Sequence, residues 1–360
     1  MRHPRETVMP SAKHLGRWLR GIANRRVGVA GDFMLDGYVW GNATRLSPEA
    51  AVPVVDFVAE SECPGGAGNV AANLAALGAR VEAFGVCGKD ADGERLRTAL
   101  GTRGVQAQGL MADRARRTTL KTRIIARHQQ VVRVDRETRA PLSGEMEEKL
   151  IGKIVTALKG GRAGRGLDGL VISDYDKGTV TEELARRVLA VCAKLGVPAF
   201  VKPKWSMLAT YPGATAIVLN SAEAGFLVTR PVDDDSAAEQ AGSQLLEKFK
   251  SSAVVLTRGA RGMMVFEPGV ARPLKIPALG QETPFGSRLG GRAAGGRGQQ
   301  VFDVTGAGDT VLATLALAVA AGAPIRDAAV LGNAAAGIVV SKLGTATVTA
   351  KELAALVRAN

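Results

Sequence analysis

The 360-residue chain is 46% hydrophobic and 22% charged, the composition of a folded protein with a large core and not of a disordered or collagen-like chain. Its 47 Lys and Arg against 34 Asp and Glu leave a net charge of +13, which favours an anionic partner. Aromatics at only 4% argue against a stacking platform for single-stranded nucleic acid.

The basic stretch through Arg26 lacks the apolar segment of a secretory signal and reads as a frayed leader. Residues 27–31, Val-Gly-Val-Ala-Gly, are a short apolar run of the kind found in buried parallel strands. A helix over 69–77, with Val70, Leu74 and Leu77 on one face, ends at Gly78 and feeds a strand over 81–86. The rhythm returns with a strand at 169–173, a helix over 181–195, and strands at 197–201, 216–219 and 253–256. Such alternation predicts a parallel sheet covered by helices on both faces, in a single domain over 1–360.

Two segments break it, about 37–58 and 115–136, which are extended with no helix inside them and predict a small β-sheet lid. Residues 280–300 are rich in glycine and arginine without apolar period, the pattern of a surface loop. Residues 311–321 form an apolar helix too short to cross a bilayer, so no membrane partner is expected. Cys63, Cys87 and Cys192 lie far apart, with no C-x-x-C pair and no nearby histidines; reduced thiols in a cytoplasmic protein are the simplest reading.

The sharpest chemical feature is Asp303-Val-Thr-Gly-Ala-Gly-Asp309-Thr, directly before that apolar helix. Unpaired amides at a helix start let Gly306, Ala307 and Gly308 approach a phosphate and stabilise charge developing on it. A carboxylate beside the same phosphate makes most sense as a general base, so Asp309 is the candidate to deprotonate an attacking hydroxyl.

Asn220-Ser221-Ala-Glu223 and Thr257-Arg-Gly259-Ala-Arg-Gly262 both follow predicted strands, where open α/β sheets bind ligands. Thr257 and Gly259 suit nucleotide phosphates, and Glu223 suits Mg²⁺ held through water. Asp32, Asp36, Gly65, Gly66 and Asn69 offer carboxylate, backbone and amide groups to a polyhydroxylated sugar. Each of these segments also occurs as a plain turn or cap. Lys121, Arg123, Arg127, His128 and Arg133 give the second lid segment a cationic face suited to a phosphorylated substrate, or to a solvated sheet edge. Gly66-Ala-Gly68-Asn-Val-Ala71 matches a dinucleotide pattern but does not follow the first strand directly, and no G-x-x-x-x-G-K-[ST] loop occurs.

Together, the glycine pair with Asn69, the segments 220–223 and 257–262, and Gly306-Ala-Gly-Asp309 resemble the signature set of PfkB sugar kinases in order and spacing. The resemblance implies a ribokinase-like three-layer α/β/α fold with a β lid, and ATP and Mg²⁺ as phosphate donor and cofactor. It also implies Asp309 as base, an anion hole from Gly306 to Gly308, and Asn333 among the nucleotide-binding residues. Segments 31–41, 45–50, 52–55 and 173–178 further resemble D-glycero-β-D-manno-heptose 7-phosphate kinases. That implies phosphorylation of the anomeric hydroxyl to heptose 1,7-bisphosphate, towards the ADP-heptose of lipopolysaccharide core, and a homodimer formed through the lid. The alternatives are a PfkB kinase for another sugar or sugar phosphate and, from a different class, a basic nucleic-acid-binding protein. Many such kinases are fused to a nucleotidyltransferase; with no H-x-G-H, a kinase alone is expected. Lys202-Pro-Lys204 stands where relatives usually carry Asp-Pro-Lys, and the 280–300 loop is longer than usual.

Overall fold

The computed structural model describes residues 10–127, 129–160, 164–204, 211–279, 304–342 and 344–359. His128, Asp303 and the 280–300 loop lie outside the described residues.

The chain runs α1 (Ala12–Gly21), β1 (Arg26–Gly31), β2 (Phe33–Leu46), β3 (Pro53–Gly66), α2 (Ala67–Ala76), β4 (Arg80–Gly88), α3 (Ala91–Gly101) and β5 (Val105–Asp113). Then follow β6 (Thr119–Ala126), β7 (Gln129–Arg136), α4 (Gly144–Lys159), β8 (Gly169–Ser173), α5 (Glu182–Leu195), β9 (Ala199–Lys202), β10 (Ala216–Asn220), α6 (Ser221–Leu227) and α7 (Asp235–Phe249). The last elements are β11 (Val254–Thr257), β12 (Met263–Phe266), β13 (Leu274–Ile276), α8 (Ala307–Ala320), α9 (Ile325–Val340) and α10 (Ala350–Arg358).

Nine strands form the main sheet in the order β13-β12-β11-β10-β9-β8-β1-β4-β5. Alternate side chains serve opposite faces: on β8, Leu170 and Ile172 join the core beneath α4, α5, α6 and α7, while Val171 joins the core beneath α2, α3, α8 and α9. Both faces are therefore covered, and every residue of β8 is buried. Helix ends are marked in the sequence. Thr181 accepts from the amide of Leu184 at the start of α5, and Gly196 closes that helix at φ 66°. Helix α8 is buried from Asp309 through Ala318, as its largely apolar sequence requires.

Four strands, in the order β3-β2-β6-β7, form the lid. β2 and β3 pair antiparallel from Phe33↔Gly66 at the core to Leu46↔Pro53 at the tip, with register shifts at Trp40/Gly41 and Ala43/Arg45. The lid thus begins earlier in β2 than its composition suggested, because the first five residues of that strand are buried.

Two expectations are corrected. Residues 12–21 are not a frayed leader: α1 buries Leu15, and His14 Nε2 and Trp18 Nε1 lie 2.7 and 2.8 Å from Asp327 Oδ2. The main sheet is not wholly parallel, since β12 and β13 add antiparallel at one edge.

Candidate active site

The site gathers where β1, β8, β9 and β10 end and where α2 and α8 begin, the carboxyl edge at which α/β sheets bind ligands. Gly306 is the N-cap of α8, at φ 81° and ψ −4°, a conformation that glycine adopts without strain. A Cβ there would stand 2.7 Å from Asn69 Nδ2, so the residue must also be small. The turn sets Asp309 in the first turn of α8, 6% exposed.

Asp309 is surrounded by donors. Asn69 Nδ2 donates to Oδ2 at 2.9 Å, and the Tyr175 hydroxyl and Lys202 Nζ donate to Oδ1 at 2.6 and 2.7 Å. Burial, reinforced by the Asp309 charge, pushes the Tyr175 phenol well above its ordinary pKa, so it stays a protonated donor. Burial opposes the charge of Lys202, but the carboxylates of Asp309 and Glu223 outweigh it and hold the ammonium well above the usual lysine range. Lys202 Nζ also lies 3.3 Å from the Tyr175 hydroxyl and 3.5 Å from where a Cβ on Gly308 would stand. The amide of Ala307 donates to the Val304 carbonyl at 3.3 Å, while Gly308 stands beside Lys202.

Behind Asp309 a buried polar chain ties α2 to α8. Asn73 Nδ2 donates to the backbone oxygen and Oδ1 of Asn69 at 2.9 and 3.2 Å, and Thr310 Oγ1 donates to Asn73 Oδ1 at 3.0 Å. Asn69, predicted to face a sugar, thus has its side chain directed to Asp309 and to Asn73. Asp32 is likewise turned inward. At 1% exposure it accepts the backbone amides of Tyr175, Lys177 and Thr179, and so holds the segment that delivers Tyr175.

Asp36, Gly65 and Gly66 line the root of the lid. A Cβ on Gly65 would collide with Asp36 Oδ2, and Gly66, at φ 57°, would press on the Asp32 carbonyl at 2.6 Å. Arg123 Nη1 donates to Asp36 Oδ1 at 2.7 Å and lies over the Tyr38 ring. Like Arg123, two further lid cations are paired with carboxylates: Lys121 meets Asp135 at 2.8 Å and Glu137 at 3.2 Å, and Arg133 meets Asp135 at 2.8 Å.

On the predicted nucleotide side, Asn220 caps α6, accepting from the Glu223 amide at 2.8 Å while Glu223 Oε2 accepts from the Asn220 amide at 2.9 Å. Ser221 Oγ is buried without a protein partner. Thr257 Oγ1 donates to the Leu219 carbonyl at 3.2 Å, and Gly259 and Gly262 adopt φ 56° and 75° in the turn after β11. Asn333 lies farther along, its Nδ2 donating to the Pro277 carbonyl at 2.8 Å. Among the described residues no three His, Cys, Asp or Glu side chains form a metal cage. Glu223, with Oε1 3.6 Å from Lys204 Nζ, suits Mg²⁺ held indirectly, through water and substrate phosphates.

The profile described as pfkB family carbohydrate kinase matches residues 29–352. The chain belongs to this family. It is a sugar kinase with the ribokinase-like fold. The bifunctional protein HldE of Pelobacter propionicus is 41% identical over 325 residues, 90% of this chain and 62% of its own. That of Geobacter metallireducens is 42% identical over 327 residues, 90% of this chain and 61% of its own. The chain therefore spans a little over three-fifths of these relatives. Ribokinase of Arabidopsis thaliana, solved with ribose and ATP, superposes with a TM-score of 0.68 at 19% identity, covering 93% of this chain and 99% of its own. Phosphofructokinase-2 of Escherichia coli gives 0.72 at 18%, covering 93% and 98%. At these identities the two structures speak for the fold alone.

Tyr175 and Lys202 are contacts of Asp309 that motif reading did not assign. Each follows or ends a central strand, β8 or β9, and that position was the available signal.

Proposed function

We propose that this kinase transfers the γ-phosphoryl group of ATP to the anomeric hydroxyl of D-glycero-β-D-manno-heptose 7-phosphate, giving the 1,7-bisphosphate for ADP-heptose synthesis in the cytoplasm. The observation that carries the transfer chemistry is the buried Asp309 carboxylate in the first turn of α8, beside Gly308. The substrate rests on the resemblance of segments 31–41, 45–50, 52–55 and 173–178 to heptose 7-phosphate kinases, and on the HldE relatives.

In this reading the sugar lies between the lid root and the main sheet, against Asp36, Gly65 and Gly66, with its reacting hydroxyl at Asp309. Asp309 takes the proton as the oxygen bonds to the γ-phosphorus and ADP departs. The Gly308 amide and the α8 terminus stabilise charge on the transferring group. The nucleotide lies along 220–223 and 257–262. Glu223 would hold Mg²⁺ through water, and the ion would supply charge neutralisation to the phosphates. A substrate phosphate competes with Asp135 and Asp36 for Lys121, Arg133 and Arg123, giving those paired cations a second partner. We also propose a homodimer through the lid, whose outer residues Leu46 and Phe57 are 67% and 64% exposed.

The test is ADP release with Mg·ATP and heptose 7-phosphate, beside fructose 6-phosphate, ribose, single-stranded RNA and a no-acceptor control. Heptose-specific turnover, reduced about 10²–10⁴-fold in Asp309→Asn, is expected. Turnover with another sugar alone overturns the substrate, and an Asp309→Asn variant of undiminished kcat overturns the base.

A further inference from the structure

Lys202 changes the problem that a kinase base normally poses. Asp309 has three donors on two oxygens, two of them on Oδ1. Both lone pairs of Oδ1 are thereby taken, so this oxygen cannot receive a sugar hydroxyl until one donor leaves. Tyr175 is held by its backbone, whose amide donates to buried Asp32 at 2.8 Å, and Asn69 is fixed by Asn73. Lys202 is different: its charge sits on a flexible four-carbon stem and its side chain retains 16% exposure.

The ammonium also stands where charge is needed. It lies beside Gly308, at the helix terminus to which a transferring phosphoryl group must come if Asp309 is to serve the attacking oxygen. A terminal phosphoryl group carries more negative charge than one carboxylate and presents several acceptor oxygens. It therefore competes well for a lysine that needs to move only a short way.

We propose that Lys202 is a catalytic residue, which passes from Asp309 to the transferring phosphoryl group when the nucleotide triphosphate binds. The exchange frees Oδ1 for the sugar hydroxyl in the same event that places a cation on the phosphoryl oxygens, so base and electrophile are readied together. Lys202 makes no bond and transfers no proton; it moves charge. The inference rests on the kinase reading, and its consequence for nucleotide binding can be measured without knowing the sugar.

Mg·ATP and Mg·ADP affinities are measured by calorimetry on the full chain for wild type, Lys202→Met and Lys202→Arg, with kcat from ADP release. In Lys202→Met the preference for ATP over ADP is expected to fall about tenfold, the size of one charge-assisted contact, and kcat to fall with it. Lys202→Arg, which keeps the charge, is expected to retain most of that preference. The same substitution in an Asp309→Asn background separates contact from mere neutralisation. There the preference still falls if Lys202 touches the phosphoryl group and stays unchanged if it only masks the base. That background also carries the test should Lys202→Met alone fail to fold.

An unaltered preference in the Asp309→Asn background overturns the inference, as does a rise of kcat in Lys202→Met, which would make the ammonium a plug. Loss of sugar-dependent turnover in wild type across all acceptors instead overturns the kinase substrate reading, while the affinity ratios still decide the role of Lys202.

Discussion

The pair of Lys202 with Asp309 sets a measurable coupling in stability. At 2.7 Å their attraction is about 6 kcal/mol for an effective dielectric of about 20, and lost hydration offsets most of it, since the side chains are only 16% and 8% exposed. We expect a coupling of about 2 kcal/mol, within the range of roughly 0.5–3 for directly contacting groups. Asp309→Asn should be the costlier single change, because it leaves a partly buried ammonium facing an amide. Lys202→Met leaves the carboxylate two neutral donors, Asn69 and Tyr175. With an unfolding entropy of about 2.1 cal/mol/K per residue, a loss of about 2 kcal/mol lowers Tm by about 3 °C for this length. Urea unfolding of wild type, both single variants and the double variant supplies the cycle. Additivity within about 0.5 kcal/mol would refute the pairing.

Gly306→Ala places a side chain at φ 81° and 2.7 Å from Asn69 Nδ2, so a loss of at least about 1–2 kcal/mol, with reduced kcat, should appear in thermal unfolding and turnover assays. Burial, with the nearby Asp32 charge, pushes the Asp174 carboxyl up to about 6. Its folded pKa is raised, so the unfolded chain releases that proton first and stability falls as pH rises from about 4 to about 6. Relative to Asp174→Asn, wild type should lose up to about 3 kcal/mol across that window; parallel pH–stability curves would contradict this. Phe57→Asp, at an exposed lid position, should convert a lid-mediated dimer to monomer in analytical ultracentrifugation while leaving the unfolding midpoint little changed.

Much of this was legible because the relevant physics is local. Continuous apolar runs ending in glycine mark central strands, Thr181 and Gly196 mark the ends of α5, and Gly306-Ala-Gly-Asp309 marks a helix start able to face an anion. The helix α1 escaped notice because its order depends on a partner more than 300 residues away, Asp327, which receives His14 and Trp18. The edge strands β12 and β13 are only 4 and 3 residues long, too short for periodicity to identify. Asp32 and Asn69 carry the residue types a sugar site needs, but type does not give direction: one turns to three backbone amides, the other to Asp309. Lys202 could be seen as a departure from its relatives, yet only the convergence of β9 on α8 shows that the added charge meets Asp309.

The lid stands on two ribbons that are unbroken from the core to the tip, each 14 residues long. A flap on a loop can swing while its attachment stays still. Here the bulges at Trp40/Gly41 and Ala43/Arg45 are the compliant points, and any force on the outer strands travels down to the level of Asp36 and Gly65. Pressure from a second molecule on the exposed end would thus be transmitted as strain at the root beside Asp36 and Gly65, making the lid a lever and not merely a cover.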